Sequence, residues 1–387
     1  MMFPSPGWAE GNTMDQVVIV PTIDPTDELA ELIKQMGEFG FRRFIVVDDG
    51  SQSDRGPLFD RLESEGCVVV HHEANRGKGA AIKTALGVME RWYPDAPGCI
   101  TVDADGQHLP ADVLKVAKTS ELNPDALVIG SRNLRESGTP RRSRFGNAFS
   151  SLFFRLDTGR RCADTQTGLR CIPRELLAFA CQMEGERYEY EMNLLTAAAK
   201  SGIPIVEVPI ATVYVNDNAA SHFRTFSDSY RIYRSFIRFT ASSLSCALVD
   251  LGLFAILTSV LGLEIAALVM AATAVSRVSS GVLNFLLNRR WSFQDTQGRR
   301  SLQALRYAAL FVSQMLLSAF FVTLLAFLPL PLVVVKIFVD SVLFVFSYFF
   351  QRNWVFKKTE NKTRMEVLSD GVPNAIQQPR TRSGIIR

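Results

Sequence analysis

Four long apolar runs separated by short connections fill residues 242–356, a density that reads as membrane rather than as the core of a water-soluble domain. Drawn as 244–261, 265–287, 307–328 and 332–350, each is near the ~20 residues that cross a bilayer as a helix. Arg289, Arg290, Arg299 and Arg300 lie between the second and third runs, and Arg352, Lys357 and Lys358 follow the fourth. The connections around Gly262 and Pro329–Pro331 carry neither Lys nor Arg. Positive-inside reasoning therefore puts both termini and the middle loop of an integral membrane protein in the cytoplasm, and the plasma (bacterial inner) membrane is the expected location. Residues 1–14 lack a basic start followed by an apolar core, so no signal peptide is expected and the N-terminal part should stay cytoplasmic. Just before the first run, residues 222–240 interleave Arg224, Arg231, Arg234 and Arg238 with aromatics, the pattern of a helix lying in an anionic interface.

An internal repeat marks this half. Asn284 to Phe293, NFLLNRRWSF, recurs as Ser347 to Phe356, SYFFQRNWVF, and each copy ends a span with Arg and Trp at the expected cytoplasmic boundary. Asp250, Arg277, Lys336 and Asp340 fall inside the spans, where charge is costly. Lys336 and Asp340 can pair on one helix, and Asp250 with Arg277 across two. From Thr359 onward the chain is polar and reads as disordered.

Before about Arg238 the composition changes, and charged and apolar residues interleave as in an α/β protein. Strands are expected at 17–21, 44–47, 67–70, 100–102 and 127–129, with helices at 27–39, 54–65, 79–92 and 111–122. That alternation predicts a mainly parallel, doubly wound sheet. Two strands end in carboxylates, Asp48-Asp49 and Asp103/Asp105, where open α/β sheets bind ligands. Asp103, Asp105 and Gln107 offer an all-oxygen donor set suited to Mg²⁺ or Mn²⁺. Asn75-Arg76-Gly77-Lys78-Gly79 opens a helix with glycines and cations that suit phosphate. The net charge of +3 is too small to argue for nucleic acid, and six cysteines without CxxC spacing read as reduced packing residues.

With DDGS (48–51), NRGKGAA (75–81), DADGQH (103–108), GSR (130–132), DTQTGLR (164–170) and EVPI (207–210) in order, the soluble part resembles the family-2 glycosyltransferases of GT-A fold. Within them it is similar to the polyprenyl-phosphate sugar synthases of the dolichol-phosphate mannose synthase type. The membrane half resembles the GtrA-like four-helix domain. The resemblance implies nucleotide contacts from Pro21, Asp24, Asp48, Asp49, Ser51, Lys78 and Asp103. It implies a metal on Asp103, Asp105 and Gln107, and catalytic roles for Asp103, Asp105 and Arg132. Two departures stand out. Pro21-Thr22-Ile23-Asp24-Pro25 replaces the usual P-x-Y-N-E, and the QxxRW motif of polymerising synthases is missing.

The expected organisation is a tail (1–14), a GT-A domain (15–220), an interfacial helix (221–241), a four-span domain (242–358) and a second tail (359–387). The expected reaction moves a hexose from a nucleotide sugar, UDP-sugar favoured, to undecaprenyl or dolichyl phosphate at the cytoplasmic face, with inversion. Arg132, Arg141, Arg142 and Arg144 are expected holders of the acceptor phosphate, since guanidinium forks bind phosphate bidentately, and the resemblance adds Gln166 to the acceptor side. A non-phosphorylated acceptor, and translocation of a lipid-linked sugar by the membrane half, are the rival readings. The partners are the donor, the lipid and the membrane, with a homo-oligomer left open.

Overall fold

The first expected strand lengthens into the middle of a seven-stranded sheet. In this computed structural model, β1 (Met14–Thr22) lies between β2 (Phe41–Asp48) and β4 (Gly98–Thr101), with Val20 opposite Val46 and Val18 opposite Ile100. The structure describes residues 13–134, 140–211, 225–261, 266–295, 298–327 and 329–356, with the backbone of 380–381 and 384–385. They divide into two units, Met1–Asp228 with Lys362–Arg387, and Ser229–Asn361.

In the first unit the strand order is β3-β2-β1-β4-β6-β5-β7, completed by β3 (Val68–His71), β5 (Leu127–Arg132), β6 (Arg170–Pro173) and β7 (Ile205–Ile210). All neighbours run parallel except β6, which is antiparallel to both β4 and β5. The central strands are fully buried from Val17 to Val20 and from Ile45 to Val47, as expected of a sheet covered on both faces. Helices α1 (Glu28–Glu38), α2 (Gly56–Ser64), α3 (Lys78–Trp92) and α4 (Pro110–Glu121) connect the parallel strands. α5 (Arg141–Thr158), α6 (Leu177–Gln182) and α7 (Glu189–Lys200) follow. In α1 the buried residues Leu29, Leu32, Ile33 and Met36 form the stripe that the spacing predicts. The chain order reverses at β1, between β2 and β4, so the carboxyl ends of β1, β2 and β4 surround the topological switch point.

The second unit is built from α8 (Thr225–Leu261), α9 (Ala266–Leu287), α10 (Arg300–Leu324) and α11 (Leu332–Phe350). Among the described residues, four helices are long and apolar enough to span: Tyr230–Val260, Leu268–Ser292, Arg300–Leu324 and Leu332–Val355. The interfacial helix expected over 221–241 is described only from Thr225, and from there it is continuous with the first span. No Gly or Pro stands between Thr225 and Gly252, so nothing breaks the α-helical ladder. The tail from Thr359 lies outside the described residues, apart from the pairing of Arg380–Thr381 with Gly384–Ile385.

The internal repeat is a symmetry of this unit. Asn288–Ser292 and Gln351–Val355 each form a π-helical turn, at equivalent places in the two copies. Asn288 Nδ2 donates to Gln351 Oε1 (3.0 Å), and Phe293 stacks on Phe356 (5.2 Å between centroids), so equivalent residues meet each other. Phe285 lies 5.7 Å from Phe356, and its counterpart Tyr348 lies 5.7 Å from Phe293. Arg238 covers Trp291 and Arg306 covers Trp354, each at 5.7 Å and each donating to that tryptophan's carbonyl. The helix pairs α8/α9 and α10/α11 are thus related by a pseudo-two-fold axis through Asn288 and Gln351.

Asn288 is fully buried and also bonds Ser242, Ser292 and Asn284. Asn288→Leu should cost about 1–3 kcal/mol, because it orphans several buried polar groups at once. A fall in the detergent melting temperature, larger than for a lipid-facing substitution such as Val333→Ala, checks this.

Candidate active site

Loops at the carboxyl ends of β1 and β2 are tied to each other. The Asp24 amide donates to Ser51 Oγ (2.8 Å), and the Gln52 amide donates to Asp24 Oδ1 (2.8 Å). Asp24 takes a positive φ of 47°, a cost accepted because both its amide and its carboxylate are used. Asp48 accepts the Ser51 amide (2.8 Å) and lies 2.7 Å from Nδ1 of His71, its neighbour on β3. Burial pushes the Asp48 carboxyl up, but His71 and Ser51 outweigh it and hold the group below the usual carboxylate range. A depressed folded-state pKa contributes stability that is complete above the unfolded value of 3.8 and disappears as pH falls through the folded value. The stability gap between the native chain and Asp48→Asn should therefore be level near neutrality and close below pH 3.8 in an acid-unfolding series.

Asp49 is spent inside the fold. Its Oδ1 accepts the Arg76 amide (2.9 Å) and lies 2.7 Å from His72 Nδ1, while Oδ2 accepts the Gly77 amide (2.6 Å). Of the two acidic residues at this strand end, Asp49 holds the NRGKG loop in place. That loop packs on the segment just before α7: Ala80 donates to Glu186 O, and a Cβ on Gly77, at φ 107°, would fall on the same carbonyl.

Lys78, the first residue of α3, points to the acidic end of β4. Its ammonium lies 2.5 Å from Asp103 Oδ1 and 2.9 Å from Glu191 Oε1 of α7, with 14% of the side chain exposed. Burial works against the ammonium, but the two carboxylates prevail and raise its pKa, so Lys78 is charged. Burial also pushes Asp103 up; Lys78, His108 and Arg132 more than reverse this and keep it ionised. Asp105 moves the other way, to about 6, through burial and the charge of Asp103. His108 Nδ1 accepts the Asp103 amide (3.1 Å), so the imidazole is neutral with its proton on Nε2, and burial lowers its pKa. Gly168 closes over the cluster. A Cβ there would collide with the Asp103 carboxylate and come within 2.7 Å of Lys78 Nζ.

Arg132, at the end of β5, forms a fork with Asp164: Nε to Oδ2 is 2.7 Å and Nη2 to Oδ1 is 3.1 Å. Asp164 is fully buried, so Arg132 is fixed by a bidentate pair. The Gln166 amide donates to the same carboxylate (3.1 Å). Arg141 and Arg144 are exposed on the first turn of α5, and the side chain of Arg142 lies outside the described residues. Pro21 is buried at the end of β1. The structure thus gathers Asp103, Asp105, Lys78 and Arg132 at one sheet edge and places Arg141 and Arg144 on the exposed first turn of α5, the helix whose Asn147 accepts the Thr165 amide. Among the described residues, no three His, Cys, Asp or Glu side chains form a metal cage.

Two residues that sequence reasoning did not single out matter here. Glu191 carries no motif and reaches the site only through α7. Arg170 is 2% exposed, and its guanidinium donates to the carbonyls of Thr167, Glu191 and Thr165, tying DTQTG to α7. Its place at the end of the DTQTGLR motif is the only sequence signal it gives.

Residues 17–173 match glycosyl transferase family 2, and residues 238–356 match the GtrA/DPMS transmembrane domain. An uncharacterised protein of Methanocaldococcus jannaschii is 32% identical over 53% of this chain and 84% of its own length. The chain belongs to glycosyl transferase family 2. Also similar to it are the UDP-N-acetylglucosamine–dolichyl-phosphate N-acetylglucosaminyltransferase of Methanococcus voltae (29% identity, 52% of this chain, 87% of the relative) and the polyprenol monophosphomannose synthase of Mycolicibacterium smegmatis (28%, 51% and 77%). Each matches about half of this chain. This family-2 glycosyltransferase is an integral membrane protein with a GT-A fold and a GtrA-like four-helix unit.

Proposed function

We propose that the enzyme transfers a hexose from a nucleotide sugar, a UDP-sugar first among the donors, to a polyprenyl phosphate at the cytoplasmic face of the plasma membrane. The observation that carries this reading is the pairing of an acidic strand end, Asp103 and Asp105, with the fixed guanidinium of Arg132 in a chain with four spanning helices. One side suits a metal-bound diphosphate and the other an acceptor phosphate. The names of the dolichyl-phosphate and polyprenol relatives support the acceptor. α5 supports it as well, since Arg141 and Arg144 stand beside the exposed Phe145, Phe149 and Leu152, the composition of a surface that meets anionic lipid.

Asp103, Asp105 and Gln107 fit Mg²⁺ or Mn²⁺. They are oxygen donors, and Asp105 is pushed up by the neighbouring charge of Asp103, a repulsion that a divalent cation relieves. Two carboxylates and an amide leave positions for the diphosphate itself. Bound there, the ion supplies charge neutralisation and Lewis acidity on the leaving group.

The remaining chemistry belongs to the chain. An oxygen of the acceptor phosphate forms the new bond to the anomeric carbon, and the bond to the diphosphate oxygen breaks with its electron pair leaving on the nucleoside diphosphate. A phosphate monoester loses its second proton near pH ~6, so no side chain need take a proton. That agrees with a site whose buried histidine already accepts a backbone hydrogen bond on Nδ1. Arg132, oriented by Asp164, receives the incoming phosphate and offsets its repulsion from the donor. In-line displacement inverts the anomeric centre.

The experiment is transfer of labelled sugar from a panel of UDP- and GDP-sugars to polyprenyl phosphate in detergent, with Mg²⁺, Mn²⁺ or EDTA. A metal-dependent, acid-labile lipid product is the expected result. Folded protein giving no lipid product from any donor would move the reading to another acceptor or to translocation.

A further inference from the structure

Lys78 is paired with Asp103, a carboxylate that the metal reading needs. It is seated between two carboxylates, Asp103 and Glu191, rather than extended from the loop towards a phosphate. The seat is built. Tyr188 faces the ammonium at 5.9 Å, Gly168 leaves room for it, and Gly79 brings α3 hard against Tyr190 so that residue 78 and α7 stay in register. Among the described residues the Glu191 carboxylate forms no other ion pair, since the contact of Arg170 with this residue goes to its backbone carbonyl.

We propose that Lys78 is a resident counter-cation of the acidic cluster, held by Glu191, that competes with the divalent metal for Asp103 and is drawn away by the nucleotide's phosphates. The proposal rests on the metal-dependent transfer argued above. Its physical basis is that the Lys78 ammonium sits 2.5 Å from Asp103 Oδ1, and that two cations crowded on one carboxylate repel. A nucleoside diphosphate resolves the conflict. Its oxygens give Lys78 a second partner within reach of the α3 N-terminus, and Asp103 is released to the ion. Metal and nucleotide then strengthen each other's binding by the same factor. Before the nucleotide arrives, part of the cluster's negative charge is offset by a group that cannot be chelated or lost.

Mn²⁺ binding to the full-length protein in detergent, followed by electron paramagnetic resonance without and with UDP or GDP, tests this without any turnover. In the native chain the nucleotide should tighten Mn²⁺. Lys78→Met should bind Mn²⁺ on the order of tenfold more tightly without nucleotide, bind the nucleotide more weakly, and lose most of the coupling. Glu191→Gln, which leaves Lys78 with Asp103 alone, should do the opposite and weaken nucleotide-free Mn²⁺ binding. Melting temperatures establish that both variants are folded. If folded Lys78→Met binds Mn²⁺ no more tightly than the native chain, the proposal is overturned while nucleotide-coupled metal binding stands. If the native chain binds nucleotide but never Mn²⁺, the metal reading falls and the competition falls with it.

Discussion

Asp105→Asn should lower sugar transfer on the order of 10³-fold and leave the melting temperature nearly unchanged. The size of the loss follows from the charge clamp that a divalent ion places on a leaving diphosphate, worth several kcal/mol in the transition state. The harmlessness to the fold follows from the surroundings of Asp105. It accepts the Gln107 amide at 3.2 Å, a bond that an amide oxygen of the same shape can still take. Its neighbour Asp103 also interacts with Lys78, His108 and Arg132, so Asp103→Asn should lose activity and stability together. Initial rates beside thermal melts of the two variants separate a residue that serves the reaction from one that serves both reaction and fold. Full activity in Asp105→Asn would remove the acidic strand end from the mechanism.

The second large effect is expected away from the acidic pair. Arg170→Met should destabilise the soluble unit by about 3–5 kcal/mol, because one substitution removes three buried hydrogen bonds that join the 165–167 loop to α7. Lysine should rescue little of this, since a single ammonium cannot spread over carbonyls that a planar fork reaches. The loop it holds carries Gly168, which lies over Asp103, so activity should fall even where the protein still folds. Hydrogen exchange localised to 164–170, beside a lowered melting temperature, is the measurement that distinguishes this from a general loss of structure.

The sequence made plain whatever depends on local periodicity. The alternation of strand and helix, the buried stripe of α1, the acidic strand ends and the four apolar runs are all read from neighbours within a turn or two. It said less wherever the decisive partner is distant in the chain. β6 is four residues long, too short for a period, and its antiparallel seat between β4 and β5 is set by pairing across the sheet. Asp48 and Asp49 look alike in DDGS, yet Asp49 is consumed by the amides of Arg76 and Gly77. Lys78 in a Gly-rich helix start suggests phosphate, and only α7, more than a hundred residues on, reveals the carboxylate of Glu191 beside it. The aromatic-basic stretch before the first span has the composition of an interfacial helix, but composition does not say where a helix bends, and this one runs on without a breaker.

The pseudo-two-fold axis of the membrane unit has a consequence for how such a unit can be cut. Each hairpin, α8/α9 or α10/α11, ends in an amide and a phenylalanine whose partners are the equivalent amide and phenylalanine of the other hairpin. A single hairpin therefore has an interior with one unsatisfied side, and that side is complementary to its own copy. Expressed alone, either hairpin should assemble in pairs, and the two halves made as separate chains should find each other in one membrane. The covalent link between them supplies proximity, while the recognition is already written twice.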